Sequence, residues 1–347
     1  MHSISCFTSF GRLLLCIALT SCVLVPEAWA GTVEPPLHLL FSGKNRLIAG
    51  TLKEINPPSR LVFERDAVIG GQSDVPELID VLADTATVKS VALGEHYVFA
   101  YTSIHRDKRM PGQVALNKRG AVLVSSTGLE PALFPDSAAL RHVLAAADSE
   151  EKRDSPTLLR LMLKTLKSDD AKLQYLAAAQ ITLDGDLGAM LTDKNRALLR
   201  KVVADTRGST ALRFNLLQAT YLHPDLYGEW GMSEAQEVLA TTPLDGYPDG
   251  PKDPTALVLL AFDIAQRPEA GLAKELIARW LRSPRRLFRE QSARVLEAKF
   301  PGEQRDLYAQ ALRDPTLNDE GRKFLVDQLQ RLNRHHPEQA VHKQGPE

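Results

Sequence analysis

A two-helix unit recurs through the second half of the chain, and that recurrence restricts the fold more than any other feature. First helices are predicted to start near residues 156, 194, 233, 268 and 302, at spacings of 38, 39, 35 and 34 residues. Second helices follow over 169–183, 209–222, 254–265, 284–299 and 318–333. Leu158, Leu159, Met162 and Leu166 fall on one face of 155–167 at the helical period. Ser155-Pro156, Asp253-Pro254 and Ser283-Pro284 each place a capping side chain before a proline, whose missing N–H costs little in a first turn. Ser233-x-x-Gln236 reads as a capping box, and His223-Pro224 and Phe300-Pro301-Gly302 as stops. A hairpin of this size cannot bury its apolar face alone. Stacked neighbours must share one continuous core. The expectation is five helical hairpins over 137–333 in a right-handed stack, capped by 138–147.

The turns Leu166-Lys167-Ser168-Asp169, Val203-Ala204-Asp205-Thr206, Leu281-Arg282-Ser283-Pro284 and Leu312-Arg313-Asp314-Pro315 carry a closer likeness. Each ends a first helix and leads into an apolar second one, such as "YLAAAQI" and "QSARVLEA". With Arg213, Arg289 and Arg322 near one repeat position, these units resemble HEAT-type (armadillo-like) repeats. Gln174 departs from that position, and "TTPLDGYPDGPKDP" (241–254) is inserted in the third unit. The resemblance implies a partner-binding surface and no common activity.

Residues 37–126 read differently. "NRLIAGTLKEI" (45–55), "RLVFERDAVIG" (60–70), "HYVFAYTSI" (96–104) and "AVLVSS" (121–126) are short β-prone runs broken by glycine and proline. "PELIDVLAD" (76–84) is open between strand and helix. Gly50, Phe63, Val68, Gly70-Gly71 and Gly94-Glu95-His96-Tyr97 fall where the OB-like barrel of netrin-type and metalloproteinase-inhibitor modules would place them. The stretch resembles those modules over about ninety residues. That family's N-terminal cysteines are absent, so its cysteine-dependent inhibition does not transfer. The fold class expected is therefore α+β and multi-domain: a small antiparallel β-barrel or sandwich over 31–135, a HEAT-like α-solenoid over 136–334, and a disordered tail over 335–347.

Ahead of both lies a targeting segment. Arg12 precedes an apolar run from Leu13 to Val25, and Ala28-Trp29-Ala30 follows Pro26-Glu27. That order reads as a secretory signal peptide over 1–30, with Ala28 and Ala30 before a cleavage at Gly31. Leu19-Thr20-Ser21-Cys22 also resembles a bacterial lipobox, with Cys22 as the lipidated residue. The apolar run continuing past it favours the first reading. A periplasmic or secreted protein is expected, with an outer-membrane lipoprotein as the alternative. All three cysteines, Cys6, Cys16 and Cys22, lie in this segment. A chain cleaved after Ala30 has no disulfide, no thiolate nucleophile and no cysteine metal site. Removing Arg12 and Glu27 takes away one charge of each sign, so the net charge stays −1. That balance offers no field for nucleic acid or an anionic membrane. Membrane attachment is expected only through Cys22.

No G-x-S-x-G or Walker A motif occurs. Asp184-Gly185-Asp186 reads as an inter-helix turn rather than a calcium loop, and His335, His336 and His342 as incidental tail residues. Three stretches are candidate contact surfaces. "HRDKRM" (105–110) presents Arg106 and Lys108. The hairpin 279–305 presents Arg279, Arg282, Arg285, Arg286 and Arg289, a cationic edge suited to an acidic partner. The 241–254 insertion offers Tyr247. The function expected is a non-catalytic exported scaffold of the cell envelope, binding a protein partner through its helical repeats with no cofactor and no metal. The alternatives are a regulator or inhibitor of an envelope enzyme, or an enzyme with a site at the barrel–solenoid junction near Glu95, His96 and His105.

Overall fold

The computed structural model describes residues 33–56, 59–105, 119–247, 250, 252–268 and 270–335. A short helix α1 (Pro36–Leu40) leads into strands β1 (Arg46–Asn56), β2 (Arg60–Val68) and β3 (Leu78–Leu82). Helix α2 (Thr85–Ser90), capped by the Asp84 carboxylate accepting from Thr87 N, precedes β4 (His96–His105), β5 (Arg119–Leu123) and β6 (Leu133–Pro135). Strands pair in the order β1-β2-β3-β5-β4, and β4 returns to β1, which closes a five-stranded barrel; β6 adds to β4. Closure answers the open choice between barrel and sandwich, and 76–84 yields a strand. One expectation is corrected. The barrel is not wholly antiparallel, because β3 and β5 pair in parallel. Helix α2 and β4 intervene between them, and β5, antiparallel to β4, meets β3 from the far side.

Side chains alternate across the barrel wall with the period of two that a strand imposes. Ile48, Leu52, Phe63, Val81, Phe99 and Leu123 fill the interior, where the Phe63 and Phe99 rings lie 4.2 Å apart. Gly50 sits at a register shift of β1, where an added Cβ would come 2.7 Å from the Glu64 carbonyl oxygen. Leu47, Ala49, Val98 and Ala100 point the other way and join the core of the helical half. Each buried aliphatic side chain of this kind is worth roughly 1.5–3 kcal/mol relative to exposure. The barrel is thus fused to the helices by a continuous apolar contact.

The helical half contains α3 (Ala138–Ala145), α4 (Glu150–Arg153), α5 (Pro156–Thr165), α6 (Ala171–Leu183), α7 (Gly185–Ala189), α8 (Asp193–Ala204), α9 (Thr210–Leu222), α10 (Pro224–Tyr227), α11 (Trp230–Thr241), α12 (Thr255–Ala265), α13 (Lys274–Ala278), α14 (Arg286–Lys299), α15 (Gln304–Leu312) and α16 (Asp319–His335). A 3-10 turn, Arg279–Arg282, extends α13. Helix α6 packs on α9, α9 on α12, α12 on α14 and α14 on α16. In a second row α8 packs on α11, α11 on α13 and α13 on α15. Local capping follows the expected chemistry at several starts. Ser155 Oγ accepts from Leu158 N, Asp170 Oδ1 from Lys172 N and Leu173 N, and Asp253 Oδ1 from Thr255 N.

Three starts are corrected. Helix α14 begins at Arg286 rather than at Pro284, and Ser283 Oγ accepts from Arg285 N ahead of the helix. Ser233 is not an N-cap: α11 begins at Trp230, and the Ser233 hydroxyl donates back to Trp230 O within the helix. The expected helix from 268 begins only at Lys274. Pro268 cannot continue α12. Lys299 Nζ then donates to the carbonyls of Arg267 and Ala270, which holds the following residues as a turn.

Candidate functional site

The arginine edge is largely spent on holding the helices together. Arg279 donates to the carbonyls of Leu239, Ala240 and Thr242, covering the last turn of α11, where helix carbonyls lack partners. Arg285 lies over the Tyr247 ring at 4.4 Å and pairs with Asp253 at 3.4 Å. Arg289 is 1 % exposed and donates to Ser283 O and Pro284 O, each at 2.8 Å, with Glu320 at 3.3 Å. It is therefore interior and corrected as a surface candidate: a guanidinium so placed bridges two hairpins. Arg282 pairs with Asp314 at 3.1 Å and Arg286 with Glu290 at 2.7 Å, and both remain exposed. Tyr247 donates to Pro243 O and packs edge-on against Phe288, and burial pushes its hydroxyl pKa up to about 12. It serves as an internal clasp for the insertion. Arg106 and Lys108 lie outside the described residues, as do residues 1–32 with Cys22, Ala28, Ala30 and Gly31, and the tail from His336.

The junction candidates group in an unforeseen way. His96 Nδ1 lies 3.0 Å from Thr51 Oγ1 and 3.0 Å from Asp66 Oδ2. Both neighbours approach the same ring nitrogen. A catalytic relay needs the nucleophile on one nitrogen and the orienting carboxylate on the other, so this exposed trio lacks the arrangement for it. Its described partners do not include Glu95, and the His105 side chain lies outside the described residues.

A pocket of about 360 Å³ opens along the seam between barrel and helices, lined among others by Ser90, Tyr97, Leu133, Asp170 and Lys172. Lys172 Nζ donates to Leu133 O at 2.7 Å and lies over the Phe134 ring. Burial lowers its pKa below the usual lysine value.

The densest chemistry lies elsewhere on that seam. His38 on α1 faces two carboxylates of the helical half. Its Nε2 stands 3.4 Å from Asp184 Oδ2 and 3.7 Å from Asp154 Oδ1. Asp154 ends α4, and Asp184 both ends α6 and caps α7, its Oδ1 accepting from Asp186 N and Leu187 N. The inter-helix turn read at 184–186 is present, and it positions one of the three groups. Gln180 ties the cluster to the barrel's leading helix: its Oε1 accepts from Leu37 N and its Nε2 donates to Asp184 Oδ2, each at 2.8 Å. Asp184 raises the His38 pKa by direct approach, against burial; its charge and that of Asp154 add to the rise, and Arg153 opposes it. Even so, both carboxylates stand beyond ordinary hydrogen-bond reach. Nε2 is shielded from solvent and, among the described residues, has no partner in hydrogen-bond geometry. Sequence reasoning missed His38 and Asp154 because 116 residues separate them and neither carries a local motif. No protein-family model, curated protein or solved structure matches this chain.

Proposed function

We propose that the chain is an exported, non-catalytic interaction protein of the cell envelope: an OB-like barrel module fused to a HEAT-like solenoid that binds a protein partner. The carrying observation is the packing order, in which α6, α9, α12, α14 and α16 meet only as sequential neighbours among the principal helix contacts. Sequential stacking of this kind leaves an extended surface along one row of helices, and such surfaces serve binding rather than a single reaction. Arg282 and Arg286 remain exposed on that array, so an acidic partner fits this edge.

Site-directed photo-crosslinking in the native host tests the reading. A photoreactive residue at Leu222, an exposed apolar position, or at Arg286 should give a discrete adduct in the envelope fraction. Arg282→Glu with Arg286→Glu should abolish an adduct formed at the cationic edge. An adduct that survives both reversals removes the acidic-partner assignment. A chain recovered wholly in the cytoplasmic fraction removes the export assignment.

A further inference from the structure

We propose that His38, Asp154 and Asp184 hold a divalent transition-metal cation of the zinc class, clamping the barrel's leading helix to the first helical hairpin. This stands apart from partner binding and from the solenoid reading. Three donor atoms, one imidazole nitrogen and two carboxylate oxygens, lie within 4.8 Å of one another. Tetrahedral bonds of about 2.0–2.1 Å place neighbouring donor atoms roughly 3.3 Å apart. The Nε2–Oδ2 separation of 3.4 Å matches that edge, and the 3.7 Å separation needs only a small turn of the exposed Asp154 side chain.

The surroundings are built for ligation rather than for a direct ion pair. Nε2 is buried and, among the described residues, makes only the long approaches to the two carboxylates, a geometry that a cation between them would satisfy. A cation bound there accepts its lone pair and removes the orphan. Asp184, with its side chain 3 % exposed, is held by two backbone N–H groups and by Gln180, leaving a second lone pair of Oδ2 free toward His38. Hydrogen-bonded support behind a ligating carboxylate is the usual outer shell of a metal site. The mixed nitrogen and oxygen donors favour zinc-class ions over calcium, which takes six to eight oxygens. Asp154 is 43 % exposed, so the fourth position opens to water.

The test uses the full mature chain, freed of metal by chelator and titrated with Zn²⁺ by calorimetry near neutral pH. One saturable ion per chain is expected, with a rise in thermal stability on binding. Asp154→Asn removes an exposed ligand that caps no helix, and should weaken binding by at least about tenfold while leaving the metal-free protein folded. His38→Gln should do the same. A His335→Ala, His336→Ala, His342→Ala variant controls for the tail and should bind as the wild type does. Absence of one-to-one binding, unchanged affinity in Asp154→Asn, or loss of the site with the tail histidines would each overturn the assignment. Tighter binding of Ca²⁺ than Zn²⁺ would overturn the ion class.

Discussion

Gly231→Ala separates local preference from packing by the sign of its effect. Gly231 is the second residue of α11, where helix propensity alone favours alanine by at most about 1 kcal/mol. An added Cβ would instead lie 1.9 Å from Thr220 Oγ1 and 2.6 Å from Thr220 Cβ, on α9. Thr220 cannot simply turn away. It is 4 % exposed, and its hydroxyl donates to Leu217 O at 2.7 Å. Turning the hydroxyl away would break that bond and still leave Thr220 Cβ at 2.6 Å, so relief requires α11 to move off α9. Overpacking of a well-filled contact costs typically 1–3 kcal/mol. Net of propensity, Gly231→Ala should destabilise by roughly 1–2 kcal/mol, which lowers the midpoint of thermal unfolding by about 2–8 °C. Circular dichroism melts of wild type, Gly231→Ala, Thr220→Ala and the double variant measure this. Thr220→Ala removes the hydroxyl contact but keeps the Cβ at 2.6 Å, so the double variant should recover only part of the loss from the glycine change. A Gly231→Ala protein as stable as wild type, or more so, would show that α9 and α11 do not approach this closely.

Other perturbations read different parts of the molecule. Ala178→Glu places an unpaired charge at a fully buried position of α6 and should destabilise by several kcal/mol, seen as a broadened or much lower melt; a melt within a few degrees of wild type contradicts the shared core. Arg289→Met leaves the Ser283 and Pro284 carbonyls without their Nη1 donor and should cost about 2 kcal/mol or more in chemical denaturation; an unchanged denaturation midpoint would contradict this role. The Thr316 hydroxyl and N–H, with Arg282, hold the Asp314 pKa down at about 2. A depressed carboxylate stabilises fully above its ordinary value of about 4 and loses that contribution as pH falls toward 2. Asp314→Asn should therefore flatten the decline of melting temperature between pH 4 and 2, and an unchanged decline would exclude that role. Cys22→Ser should leave export and processing intact while Ala30→Phe stalls maturation; incorporation of labelled palmitate would instead support the tethered form.

Local chemistry made the helical half legible. Caps such as Ser155 and Asp170, and the apolar spacing of Leu158, Leu159 and Met162, act within a few residues, and the helices begin where those interactions are satisfied. Alternation did the same for β1 and β4, whose two faces go to different cores. The local rules failed where a distant group competes. Ser233 bonds back into its own helix instead of capping it, and the carbonyls of Arg267 and Ala270 on either side of Pro268 accept from Lys299, some thirty residues along the chain. Arginines at 279, 285 and 289 read as a charged edge because composition counts charges and not the groups that consume them: carbonyls for Arg279 and Arg289, the Thr255 hydroxyl and Asp253 for Arg285. What the sequence by itself determined is thus the longer helices and the strands β1, β2, β4 and β5, with their order and apolar faces, since helix and strand periods are properties of neighbouring residues; the short elements α1, α2, α4, α7, α10 and β6 carry too few residues to show a period. The tertiary structure alone decided that β5 closes the barrel beside β3 and that His38 meets Asp154 and Asp184. Those encounters depend on how the barrel docks against α6, and a donor at 38 carries no local trace of an acceptor at 184.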